Sequence, residues 1–287
     1  MQIGISTRFF RDERLTVDVL ERFRKTGYSR IEIFANRPHF DFQDRNLIRS
    51  CARWFEENEV PPPSIHLPFE EPYSRDRAID LPLFAPEERL RYRAIDELKR
   101  CLEFVEFTPV EYAVMHLGYT GQSFNPVLLD YAYAAIAAVQ SFSGVKVMIE
   151  NTLNEASTPD RIREFVAVAQ LQDVGVCYDT GHGYLRNIPP DFLKIDALQL
   201  NDTHGTGDAH AWPFEGRINW YEFCAAMNRA SFKGPLLFEV EGGKLEDGSG
   251  VAMRIEELCY EAGHSTEEYA LKYNIKTLRN PENGETE

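Results

Sequence analysis

Val176-Cys177-Tyr178-Asp179-Thr180-Gly181-His182 reads as an apolar β-strand that ends on a carboxylate and, three residues later, an imidazole. Asp179 and His182 are both able to bind a metal ion or a sugar hydroxyl. Four other apolar runs end in a comparable way. Their ends are expected to converge on one divalent-metal site.

Strand and helix patterns alternate eight times along the chain. Strands are expected near Ile3 and Ile5 and over 30–34, 64–68, 112–118, 145–152, 176–182, 195–202 and 234–241. Helices are expected over 17–25, closed by Gly27, and over 44–58, where Leu47, Ile48, Cys51, Trp54 and Phe55 share one stripe. A longer helix runs to Phe107 with Pro86 in its first turn, followed by helices over 126–142 and from N-cap Thr158 to Gln170. Pro189-Pro190 limits the sixth helix to a short piece within 185–193, and two more follow at 219–229 and 250–261. This order, without a linker-like change of composition, implies the α/β class and a single (β/α)8 TIM barrel over residues 1–276, with a polar tail at 277–287. No Gly-x-Gly-x-x-Gly follows the first strand and there is no Walker-type loop, so the sequence carries no nucleotide-binding signature.

At 287 residues the chain is long enough to bury a large core. Lys+Arg 31 against Asp+Glu 46 gives a net charge of −15, which opposes binding to a nucleic-acid backbone. The five cysteines are scattered, with no Cys-x-x-Cys pair, as expected of reduced thiols in a cytoplasmic protein. No apolar run reaches the roughly 18 residues of a membrane span, and no membrane or nucleic-acid partner is expected.

In such a barrel, polar residues at the carboxyl ends of the strands line the mouth. Those residues are His66, His116, Glu150, Asp179, Gln199 and Glu239. Each closes an apolar run, where a buried ionisable group is costly without a partner. Glu150, Asp179, Gln199 and Glu239 supply three carboxylates and an amide oxygen. A hard oxygen set of that kind suits one divalent ion, Mn²⁺ or Mg²⁺ with Zn²⁺ as the alternative. A structural polar network is the competing reading of the four. His66, His116 and His182 are candidates to touch substrate. The loop Asp208-Ala209-His210 followed by Glu215-Gly216-Arg217 reads as a lid, with His210 and Arg217 reaching inward, or else as a solvated loop. Trp212 beside His210 is either core or a platform for a sugar ring.

The ordered motifs Ser64-Ile65-His66-Leu67-Pro68, Val114-Met115-His116-Leu117-Gly118, Ile149-Glu150-Asn151-Thr152, Asp179-Thr180-Gly181-His182, Gln199-Leu200-Asn201-Asp202, Asp208-Ala209-His210 and Phe238-Glu239 resemble the xylose-isomerase-like barrels, which comprise sugar isomerases, epimerases and endonuclease IV. The resemblance implies that Glu150, Asp179, Gln199 and Glu239 ligate one metal, and that Glu150 and Glu239 serve as acid and base. It implies that His182 and Arg217 hold substrate oxygens. Related barrels often form dimers or tetramers, which admits a homo-oligomer and leaves the oligomeric state open. Family members commonly carry His where Gln199 stands, which leaves the metal's identity open. The reaction expected is isomerisation or epimerisation of a small-molecule sugar or hydroxy-ketone through a metal-stabilised enediolate. The alternatives are an endonuclease IV-like phosphodiesterase and a non-catalytic sugar-binding barrel. Pro82-Leu83-Phe84 after Ala78-Ile79-Asp80-Leu81 and Gln199 both stand where endonuclease IV would supply ligating histidines, so a complete three-zinc centre is not expected.

Overall fold

The computed structural model describes residues 3–71 and 80–263. Eight strands close a parallel barrel in chain order: β1 (Ile3–Ser6), β2 (Ile31–Phe34), β3 (Ser64–His66), β4 (Tyr112–His116), β5 (Lys146–Glu150), β6 (Val174–Asp179), β7 (Ala197–Leu200) and β8 (Leu236–Phe238). The helices between and after them are α1 (Val17–Lys25), α2 (Arg45–Glu57), α3 (Glu88–Phe107), α4 (Val127–Ser143), α5 (Pro159–Val168), α6 (Thr180–Leu185), α7 (Trp220–Arg229) and α8 (Asp247–Glu261). The expected (β/α)8 barrel is what the chain forms. The proposed tail at 277–287 and the residues Ala78 and Ile79 lie outside the described residues. Among the described residues no helix is long and apolar enough to cross a membrane.

Strand side chains alternate, so each strand sends one set inward and one set against the helices. The outward set joins the helix faces in the main core, which includes Ile5, Ile33, Ile65, Ile149, Val176 and Leu200. Tyr112, Val114, Met148, Cys177 and Ala197 form a separate small cluster. They have the same parity as the strand-end residues His116, Glu150, Asp179 and Gln199, and so fill the barrel lumen beneath them. Pairing register then sets the mouth: His116 lies opposite Glu150, and Asp179 opposite Gln199.

Three helix boundaries differ from the sequence expectation. The sixth helix begins directly at Thr180 and ends where it was expected to begin. Its N-cap is Asp179, whose Oδ1 accepts a hydrogen bond from the His182 backbone N–H at 2.7 Å. With that cap in place no loop is needed after β6, and Pro189-Pro190 falls in the exit segment. The third helix starts at Glu88 with Glu87 as N-cap, so Pro86 precedes it. The last helix starts at Asp247 rather than near Gly250. Thr158 caps α5 as expected, accepting from Arg161 N at 3.4 Å, and Gly27 follows α1 with φ +95°.

Candidate metal centre at the barrel mouth

The ends of β3, β4, β5, β6, β7 and β8 bring His66, His116, Glu150, Asp179, Gln199 and Glu239 to one mouth. All except His116 are at most 1 % exposed. Glu150 is the hub. Its Oε2 accepts from His66 Nε2 and His116 Nε2, both at 3.1 Å. Its Oε1 lies 3.0 Å from His182 Nδ1, although that nitrogen is out of line for a hydrogen bond. On its other side, His182 Nε2 meets Asp208 Oδ2 at 3.1 Å, and His210 Nε2 meets the same oxygen at 3.2 Å. His210 Nδ1 faces the Glu239 backbone carbonyl at 2.8 Å. That nitrogen therefore donates to the carbonyl. Burial works against a second proton on the ring, but the Asp208 carboxylate facing Nε2 favours it and raises the imidazole's pKa.

Asp179 is held from three directions. Its backbone N–H donates to Asn151 Oδ1 at 2.7 Å, and Asn151 Nδ2 donates to its carbonyl at 3.1 Å. Asn201 Nδ2 donates to its Oδ2. Gly181 leaves room for that bond, since a Cβ there would collide with Asn201 Oδ1. Gln199 accepts the Cys177 thiol on Oε1 at 3.3 Å, and its nitrogen has no partner.

Burial and mutual charge divide the acids. Burial works to raise Glu150, but the imidazoles of His116, His182 and His66 outweigh it and hold its carboxyl well below the usual range. Burial, followed by the neighbouring Glu150 charge, pushes Glu239 up to about 7 against the pull of Arg8. Burial also raises Asp179, while His182 and His210 oppose it. His116 is driven down to about 4 by burial, whereas His66 rises to about 9 because its bond to Glu150 and the charge of Glu239 override burial. In the metal-free protein, protonated imidazoles thus stand in for a missing positive charge.

The donors fit a divalent cation. Among the described residues, both oxygens of buried Glu239 and Nδ1 of His182 lack hydrogen-bond partners, an unfavourable state that a metal would relieve. Four sets of donor atoms lie within 4.8 Å of one another: His66–His116–Glu150, Glu150–Asp179–His182, Asp179–His210–Glu239 and His182–Asp208–His210. Glu150, Asp179, His182 and His210 are each shared by two of these sets and so link all four, with Glu239 in the set of Asp179 and His210.

The structure does not bring Arg217 into this group. Arg217 is exposed, and its stem packs over Gly205. The reason is Asp202. Its Oδ1 accepts from the Thr203 and Ile218 backbone N–H groups at 2.8 and 3.1 Å. Its Oδ2 accepts from Phe214 N at 3.2 Å and from Trp220 Nε1 at 2.7 Å. This carboxylate folds the 203–218 loop so that Asp208 and His210 turn inward and Arg217 turns out. Asp202→Ala leaves a buried indole N–H and backbone donors unpaired, and is expected to cost about 3 kcal/mol or more. An unchanged urea midpoint would contradict that role. Trp212 is core: it is 2 % exposed and its ring lies 5.2 Å from that of Phe238.

Asp208 enters the sequence reading as part of a lid and as a counterpart of a zinc ligand in the endonuclease IV alternative, whereas Arg8 has no site role there. Arg8 sits two residues past the end of β1, and reading that strand end as the others are read would have reached it.

A model of the xylose isomerase-like TIM barrel matches residues 20–260. The chain belongs to this family. Within the family's sequence range, uncharacterized protein MJ1311 of Methanocaldococcus jannaschii is 23% identical over 259 residues, covering 83% of each chain. "Probable endonuclease 4" of Halobacterium salinarum is 26% identical over 252 residues, covering 78% of this chain and 87% of that one. Among solved structures, a D-tagatose 3-epimerase-like protein superposes with a TM-score of 0.74 at 20% identity, over 91% of this chain and 99% of the other. The TTHB071 protein of Thermus thermophilus, soaked with zinc chloride, gives 0.68 at 20% identity, over 92% and 100%. At these identities the two structures establish the shared barrel and nothing finer.

Proposed function

We propose that this chain isomerises or epimerises a small non-phosphorylated sugar or hydroxy-ketone by moving a proton at a carbon beside a carbonyl. A divalent ion would be held by Glu150, Asp179, Glu239 and Gln199. The observation that carries this reading is a pair of buried acids at one mouth, Glu150 bonded by His66 and His116 and Glu239 with neither oxygen paired among the described residues. Glu150 is kept ionised by three imidazoles, whereas Glu239, with both oxygens unpaired, is pushed up to about 7. Paired acids of unlike proton affinity are what acid–base chemistry near neutral pH requires.

When bound, the metal would supply Lewis-acid polarisation of the carbonyl and its neighbouring hydroxyl. Glu239 takes or returns the proton at its free oxygen. Glu150, on the β5 wall, serves the opposite face. His116, His182 and His210 line the mouth around the substrate, and Asn151 and Asn201 hold Asp179 in place. The test is NMR of a ketose panel in D₂O with the Mn²⁺-loaded protein. Deuterium is expected at the carbon next to the carbonyl of at least one sugar, and its absence from all of them would overturn the reading.

A second reading rests on the two outer donor sets. His66–His116–Glu150 and His182–Asp208–His210 are rich in nitrogen, which suits zinc. His66 reaches Glu150 beside His116, so the first set is complete without a histidine after Leu81. Together with the Halobacterium salinarum relative, this favours a multinuclear zinc phosphodiesterase acting at abasic DNA sites. The net charge of −15 opposes it. One zinc per donor set together with nicking of an abasic duplex would select the second reading. A single ion and deuterium exchange would select the first.

A further inference from the structure

Arg8 is a buried cation at the mouth, with a side chain 8% exposed. Its Nε donates to Glu241 Oε1 at 2.7 Å, and its guanidinium lies 5.1 Å from the centre of the Phe34 ring. Those contacts fix the fork in position. Its Nη1 lies 3.8 Å from Glu239 Oε1, too far for a hydrogen bond. Among the described residues neither terminal nitrogen of Arg8 donates a hydrogen bond, and Glu239 Oε1 accepts none. A guanidinium nitrogen and a buried carboxylate oxygen therefore face each other 3.8 Å apart, a spacing that a single oxygen hydrogen-bonded to both would bridge.

Charge and chemistry narrow the occupant. Arg11 shares the Glu241 oxygen at 2.8 Å and lies 3.6 Å from Glu70. The two guanidiniums are thus matched by Glu241 and Glu70, leaving no excess positive charge to hold an anion. A carboxylate or carbonyl oxygen could accept from Arg8 but has no proton for Glu239 once that carboxyl is ionised as a metal ligand. A hydroxyl does both, accepting from Nη1 and donating to Oε1.

We propose that Arg8 and Glu239 Oε1 form a hydroxyl subsite, which makes Arg8 a substrate-binding residue and the substrate a polyol at the position beside Glu239. This rests on the sugar reading above. Calorimetry of the Mn²⁺-loaded protein with erythritol and xylitol tests it, comparing wild type with Arg8→Met. The variant is expected to bind the polyol about ten- to a hundred-fold more weakly, with Mn²⁺ uptake unchanged. Arg11 still pairs Glu241 in that variant; if it nevertheless fails to fold, Arg8→Lys gives the same readout, since its single ammonium on Glu241 leaves Glu239 Oε1 without the fork. Polyol binding equal to wild type in the folded variant overturns the subsite and leaves the sugar reading standing. Failure of the wild type to bind either polyol overturns the sugar reading and the subsite together.

Discussion

Glu239→Gln is expected to slow proton transfer by about 10²–10⁴-fold while making the metal-free protein more stable at pH 8. The amide keeps the shape of the side chain, and neither Glu239 oxygen makes a hydrogen bond that the change could lose. What it removes is a buried ionisable group. The folded carboxyl holds its proton up to about pH 7, whereas the unfolded one releases it near pH 4 (about 4.3). Stability from this group is therefore full below about pH 4 and is lost as pH rises through about 7, because the unfolded chain ionises first. The amide abolishes that loss. Urea midpoints should favour the variant at pH 8 and converge with wild type near pH 4. A variant that keeps full exchange activity, or that is weakened at pH 8, would contradict the assignment.

Stripping the metal is expected to produce the second large effect. With Asp179 shared between one donor set holding Glu150 and another holding Glu239, the folded chain offers a cation a site that the unfolded chain lacks. An ion present at a thousand times its dissociation constant adds about 4 kcal/mol to stability. For a barrel of this length that corresponds to a melting temperature higher by on the order of 10 °C. Chelator followed by Mn²⁺ or Zn²⁺ should lower and then restore the transition. Identical melting with and without metal would show that the imidazoles suffice as counter-charges.

The barrel was legible because six of the eight strands, β3 to β8, are short apolar runs closed by a residue that is costly to bury alone. Glu150, Asp179, Gln199 and Glu239 could be picked out in that way, and so could His66 and His116. What could not be read was how one side chain serves two purposes. Asp179 has the look of a ligand; that it also caps α6, and so starts the helix earlier than expected, depends on a 2.7 Å bond to the His182 N–H. Arg217 has the look of a lid residue because it follows His210 closely in sequence. The direction of its side chain is set by Asp202, through bonds to Thr203, Phe214, Ile218 and Trp220. Arg8 carries no local signal beyond its place after β1, and its importance lies in meeting Glu239 and Glu241 at the opposite end of the chain.

Equilibrium uptake of Mn²⁺ and Zn²⁺ by the chelator-stripped protein, read by metal analysis after dialysis for wild type and Asp179→Asn, addresses the shared cation itself. Uptake of at least one ion per chain by the wild type, weakened about a hundred-fold or more in the variant, is the predicted result. A wild type that takes up neither ion, or a variant that binds as tightly as the wild type, would mean that these side chains meet for some purpose other than holding a metal.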